Sequence, residues 1–264
     1  MRIDWTPLEQ LIDRLDDGID VGVGVIGPDG ERWAHNPDRQ FPSASTVKIP
    51  IMIEVYRMVD RGQVALDDTH VLTRAEKSPG SGVLRHLHAG LALSVADLLY
   101  LMMSISDNTA TNILIDLAGM ERINATMREL GMTNSVLGRP MRGRLAIEGE
   151  QENLATPDDY TRVLDALFRH EAASAASCEA MIATLERQQN RRRIGRHVPT
   201  TKGYRWGSKT GTNEGVANDV GFVAGPDGRI LIAVFCRGAA DEVRGEQVIA
   251  DLARAAMRAT GVAR

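Results

Sequence analysis

Ser45 and Lys48 stand three residues apart at the start of a stretch with helical apolar spacing, SASTVKIPIMIEVYRMV. On a helix that spacing puts both side chains on one face, about one turn apart, within reach of a shared proton. A serine hydroxyl is a poor nucleophile by itself, and a neighbouring amine held neutral by its surroundings can take its proton. Backbone N–H groups and the dipole at a helix start also favour a developing oxyanion. Pro50 cannot donate to the carbonyl of Thr46, so the first stretch of this helix carries a local irregularity. Such irregularities concentrate at functional sites.

Lysine is scarce in this chain. Lys48, Lys77, Lys202 and Lys209 are its only lysines, against 27 arginines. Lysine can give up its proton when buried or crowded by charge and arginine cannot, so each lysine is a candidate chemical position. Lys209 begins Lys209-Thr210-Gly211-Thr212 at the end of a strand-like run, where lysine, two hydroxyls and a glycine suit a carboxylate brought close to the backbone. Ser106-Asp107-Asn108 lies between two helical stretches; its serine can relay a proton and its asparagine amide can both donate and accept. Taken singly, these motifs also describe a capped helix with a solvated lysine, a plain strand end and a helix N-cap.

The elements that must position them follow from periodicity. Residues 20–26 (DVGVGVI) run through GPDG into ERWAH, and GFVA runs through a second GPDG into RILIAVFC, so each end of the chain supplies a hairpin. Apolar spacing predicts a last helix over 242–260. Between the ends, helices are expected over 47–59, 94–103 with Ser94 as cap, 109–117 and 121–130. Another begins at Thr156-Pro157-Asp158-Asp159. Residues 132–155 are left without clear periodicity, and a loop that long in a compact domain is usually a lid or a binding loop. The expected fold is α/β (α+β) with two lobes. Residues 1–42 and 198–264 would form an α/β lobe with an antiparallel sheet, residues 43–197 an inserted helical lobe, and a cleft would lie between them.

With 264 residues, 43% of them hydrophobic, and a net charge of −4, the chain reads as globular and carries no electrostatic footprint for nucleic acid or an anionic membrane. Arg191, Arg192, Arg193 and Arg196 read as a solvated turn. Cys178 and Cys236 make neither a metal spacing nor a redox pair, and the six histidines form no metal site, so no cofactor is expected. The partner expected is a small-molecule substrate, with no obligate protein partner. Met1 leads into an amphipathic stretch without a signal-like apolar region, which reads as cytoplasmic unless an export signal has been removed.

Ser-x-x-Lys, Ser-Asp-Asn and Lys-Thr-Gly occur here in the order 45, 106, 209, the set of class A β-lactamases and penicillin-binding proteins. Together with GSGVL at 80–84, LGMTNSVLGR and WGSKTGTNEGVANDVGFV, they make the chain resemble the class A β-lactamase-like serine hydrolases over nearly its whole length. The resemblance implies that family's two-lobed fold. It also implies Ser45 as acylated nucleophile, Lys48 as its base and Ser106 as proton shuttle to the leaving nitrogen. Asn108 would position the substrate amide, Lys209 and Thr210 would bind the substrate carboxylate, and the N–H groups of Ser45 and Thr212 would form the oxyanion hole.

The long loop departs from the family. Aligning Leu137-Gly138-Arg139 with the family's approach puts Met141 where a water-activating glutamate belongs, and no partner asparagine is evident. A thioether is not a base. Glu148, Glu150 and Glu152 lie in the same loop, and spacing selects none of them. Three fates of a Ser45 acyl-enzyme stay open: β-lactamase-like hydrolysis, reaction as a D-alanyl peptidase, esterase or acyltransferase, and a β-lactam-binding sensor that acylates and stops.

Overall fold

The computed structural model describes residues 3–16 and 18–263. In chain order these form α1 (Thr6–Ile12), β1 (Asp20–Ile26), β2 (Arg32–His35), β3 (Phe41–Pro42), α2 (Lys48–Asp60), β4 (Thr69–Val71), β5 (Ala92–Ser94) and α3 (Val95–Ser104). There follow α4 (Asn108–Ala118), α5 (Met120–Glu129), β6 (Leu154–Ala155), α6 (Pro157–Phe168), α7 (Ala175–Leu185), β7 (Arg205–Asn213), β8 (Val216–Gly225), β9 (Gly228–Arg237) and α8 (Glu242–Thr260). The main sheet is antiparallel with order β2-β1-β9-β8-β7, so strands from both ends of the chain pair at its centre, Asp20 against Arg237. β7 has a single neighbour and forms one edge of the sheet.

The apolar run of β9 serves both faces because successive side chains of a strand point opposite ways. Ile230, Ile232, Val234 and Cys236 pack toward α8, among Val248, Ile249 and Leu252. Leu231, Ala233 and Phe235 pack toward the helices of the inserted segment, in a core that includes Ile49, Ile53, Tyr160 and Leu164. α6 and α7 lie against this second face, and α2 is surrounded by α3, α4, α5 and α7. Every residue of α2 from Lys48 to Tyr56 is buried.

Capping follows the expected chemistry. The Ser94 side chain accepts from the Asp97 N–H in a full capping box, and Thr156 caps α6. Asp107 caps α4 by accepting from Ala110 N at 3.0 Å, while its other oxygen accepts from Val83 N and Leu84 N. The Ser-Asp-Asn motif is therefore a helix cap at its middle residue only. One sequence expectation is corrected: Arg191 and Arg192 are exposed, but Arg193 is completely buried beneath the sheet. Its guanidinium satisfies backbone carbonyls there, as a buried cation must. Cys178 and Cys236 are separate, buried free thiols. Among the described residues no helix is long and apolar enough to cross a membrane.

Candidate active site

β3 delivers the chain to Ser43 and then to a 3-10 turn, Ala44–Val47, that leads into α2. The tighter turn sits where Pro50 cannot donate to the carbonyl of Thr46. Ala44, immediately before Ser45, has φ +47°, a left-handed conformation that costs a non-glycine residue about 1 kcal/mol or more. Ser106 has φ +60° between α3 and α4. Strained backbone thus lies immediately before Ser45 and at Ser106 itself.

The two serines meet at one amine. Lys48 Nζ is 3.1 Å from Ser45 Oγ, 2.9 Å from Ser106 Oγ, 2.8 Å from the Ser106 carbonyl and 2.9 Å from Asn108 Oδ1. Burial, reinforced by the cation of Lys209 and only partly offset by Asp107, holds the Lys48 amine well below the usual lysine range. Asn108 also donates through Nδ2 to the Pro79 carbonyl at 2.9 Å, so both ends of its amide are engaged.

β7 carries the third motif. Lys209 is fully buried and donates to the Thr210 carbonyl at 2.8 Å. Burial pushes its pKa down to about 7, with the Asp219 carboxylate opposing and the Arg193 cation assisting. Gly211 explains why this strand can lie against the turn of Ser45: a Cβ there would sit 2.8 Å from the Ser43 carbonyl oxygen and 3.2 Å from Ser45 N. Thr212 and Ser45 line the same narrow cleft, together with Asn108, Met141 and Glu152. The structure therefore brings Ser45, Lys48, Ser106 and Asn108 into direct contact and sets Lys209, Thr210 and Thr212 on the strand beside them.

The long loop is ordered by ion pairs and backbone bonds. Arg139, itself 7% exposed, reaches both oxygens of Glu152 at 3.0 and 3.2 Å. Glu152 also accepts from Ala146 N and Asn153 N, so both its oxygens are committed. Glu150 is held by Arg144 and by the Ile147 N–H, which lower its pKa to about 2, and Glu148 is exposed with no partner among the described residues. Of the three loop carboxylates, only Glu152 lines the cleft. Met141 lines it too, fixed by Asn112, which accepts from its N–H and donates to its carbonyl.

Sequence reasoning missed four supporting residues. Asn112 holds Met141. Asn153 accepts from Gly138 N and Arg139 N through Oδ1 and from the Ser43 N–H through its backbone carbonyl, and turns its amide nitrogen toward the Met141 sulfur at 3.9 Å. The asparagine beside Met141, not evident from spacing, is thus supplied from the far end of the loop. Arg193 donates to the Gly211 carbonyl and Thr212 Oγ1, and Asn218 of β8 donates to the carbonyls of Pro42 and Ser43. Asn218 had a signal in the sequence: a polar residue in the apolar strand VANDVGFV.

A family model described as the beta-lactamase enzyme family matches residues 7–260. The chain belongs to that family. It is 27% identical to Beta-lactamase BRO-1 of Moraxella catarrhalis over 208 residues, 77% of this chain and 65% of that protein. It is 26% identical to the extended-spectrum beta-lactamase PER-1 of Pseudomonas aeruginosa over 254 residues, covering 89% and 81%. The crystal structure of a beta-lactamase from Sphaerobacter thermophilus matches with a TM-score of 0.97 at 53% identity, over 99% of this chain and 100% of that one. A mutant of PBP-A, solved as its acyl-enzyme complex with penicillin G, matches with a TM-score of 0.89 at 25% identity, over 98% of each chain. This member of the beta-lactamase family is a class A β-lactamase-like serine hydrolase with the β-lactamase/transpeptidase fold.

Proposed function

We propose that the protein forms an acyl-enzyme at Ser45 with β-lactams or related cyclic and linear amides, and that acylation outruns release of the acyl group. The observation that carries this reading is the buried amine of Lys48 in simultaneous contact with Ser45 Oγ and Ser106 Oγ. A neutral Lys48 takes the Ser45 proton as Oγ attacks the amide carbonyl. The N–H groups of Ser45 and Thr212 stabilise the oxyanion. As the C–N bond breaks, the proton passes from Lys48 through Ser106 Oγ to the leaving nitrogen. Lys209 and Thr210 bind the substrate carboxylate. Asn108 holds Lys48 through Oδ1 and offers the second N–H of its Nδ2 to the substrate, the first being donated to the Pro79 carbonyl.

This assignment divides the machinery between the proposed lobes: Ser45, Lys48, Ser106 and Asn108 fall in residues 43–197, and Lys209, Thr210 and Thr212 in residues 198–264. Slow release follows from the loop. Met141 cannot activate water, and the one loop carboxylate lining the cleft, Glu152, has both oxygens occupied by Arg139 and backbone N–H groups. A cytoplasmic protein would use this chemistry on an intracellular amide or ester, an exported one on β-lactams or cell-wall peptides.

Mixing the protein with a chromogenic cephalosporin tests the proposal. The expected result is a stoichiometric burst followed by slow turnover, with an intact-mass increase that Ser45→Ala abolishes. Absence of a Ser45 adduct would overturn the acyl-enzyme reading, and rapid turnover without accumulation would overturn the slow-release part. Release of D-alanine from a peptide substrate would favour the peptidase fate.

A further inference from the structure

The proposed chemistry requires two backbone donors, on Ser45 and Thr212, to converge on one oxygen, although they belong to different parts of the chain. The 3-10 turn with Ser45 follows β3, and Thr212 sits on the edge strand β7. Donor geometry of this kind acts only when fixed before reaction. What fixes it lies one layer below.

Gly211 and Asn218 are register partners on β7 and β8. Gly211 leaves the space into which the backbone of Ser43 to Ser45 settles. Asn218, directly across the ladder, fills its own space with an amide that donates to the Pro42 carbonyl at 2.8 Å and the Ser43 carbonyl at 3.1 Å. Its side chain is completely buried, and its Oδ1 accepts from Cys236 N at 3.4 Å, which orients the amide with the donor toward the turn. The backbone carbonyls of this same pair are joined by Arg193 Nη1, 2.8 Å from Gly211 O and 2.7 Å from Asn218 O. Arg193 Nη2 then reaches Thr212 Oγ1 at 2.6 Å.

We infer that Asn218 is a positioning residue for acylation: its amide fastens the turn before Ser45 to the same ladder rung that carries Gly211, setting the spacing between the Ser45 and Thr212 N–H donors. This rests on the proposed acyl-enzyme chemistry. A residue that only filled the core would not need its donor aimed at the two carbonyls preceding the nucleophile. The strained Ala44 lies between those carbonyls and Ser45, so an unfastened turn is free to relax away from the geometry the donors need.

The test compares the parent with Asn218→Ala and Asn218→Asp, the second keeping shape while losing the donor. Val220→Ala, a cavity variant two residues further along the same strand, controls for lost stability. Pre-steady-state burst kinetics with a chromogenic cephalosporin separate precovalent affinity from the acylation rate constant. Isotope-edited infrared spectroscopy reads the carbonyl stretch of the Ser45 ester. Both Asn218 variants are expected to acylate about 100-fold more slowly, with precovalent affinity within about twofold, since the carboxylate-binding residues are untouched. Their ester carbonyl band should shift to higher wavenumber as oxyanion-hole hydrogen bonding weakens. Val220→Ala should lower Tm and leave rate and band unchanged. A folded Asn218 variant with the parent's rate and band overturns the inference, and so does a Val220→Ala variant that reproduces their effects. Should Asn218→Ala fail to fold, Asn218→Asp decides; if neither folds, Asn218 is a structural residue and the inference falls. Absence of any Ser45 adduct in the parent would instead overturn the acyl-enzyme proposal.

Discussion

Lys48 Nζ lies 3.1 Å from Ser45 Oγ, and the same amine touches Ser106 Oγ at 2.9 Å. One buried group therefore contacts both hydroxyls through which the proton is proposed to travel. Arginine cannot release a proton and cannot occupy this point-like site. Lys48→Arg is expected to slow acylation by about 10²–10⁴-fold, measured as intact-mass labelling over time. Lys202→Arg, on the surface, should label at the parent's rate.

Lys209 gives a pH signature. With its pKa lowered to about 7, it loses the charge proposed to bind a carboxylate as pH rises through neutrality. Precovalent affinity for an anionic β-lactam should weaken above about pH 7, and Lys209→Arg should flatten that limb, since arginine stays charged. The linkage to stability runs the other way. Between about 7 and the ordinary 10.5 the unfolded chain holds a proton that the folded chain lacks, so this group makes stability rise with pH across that window. Chemical denaturation of the parent and a Lys209→Met variant at pH 7 and 9 measures the difference.

Met141 is the position at which release of the proposed acyl-enzyme is expected to respond to substitution. The Asn153 amide already faces its sulfur at 3.9 Å, ready to orient a carboxylate. Met141→Glu is expected to hydrolyse the acyl-enzyme about 100-fold faster than the parent, read as loss of the mass adduct after excess substrate is removed. A lifetime equal to the parent's would show that the slow step lies elsewhere.

Gly211→Ala tests the approach of the strand to the nucleophile. The new Cβ meets backbone, not a flexible side-chain end, so β7 or the turn must shift. A displacement near 1 Å is expected to cost about 100-fold in acylation, with circular dichroism unchanged.

Much of this was legible in the sequence. Ser45, Lys48, Ser106 and Asn108, which the structure brings into contact, stood out in the sequence because their placement is local: helix spacing or a single interhelical turn positions each side chain. The expected helix over 242–260 corresponds to α8, and the hairpins expected at 20–35 and 221–236 fall on paired strands, since alternation and Gly-Pro turn chemistry are short-range signals. Arg193 was misread because charge density suggests solvent, while its burial depends on carbonyls brought from β7 and β8. Asn153 was missed because its partners, Gly138, Arg139 and Met141, lie across a loop whose closure has no periodicity. Relationships of that kind exist only after the chain has folded back on itself.

The pairing of Asp20 with Arg237 also has a consequence in time. β7 is held by β8, β8 by β9, and β9 by β1, so the sheet that carries Lys209 and Thr212 is complete only when strands from both ends of the chain have paired. Contacts across such separations form slowly because a long loop must be closed first. A nascent chain that has emerged as far as α7 already contains the serine and its lysine, but not the edge strand that completes the donor pair. On the proposed chemistry, the oxyanion donor pair is therefore completed late in synthesis, after Ser45 and Lys48 have already emerged.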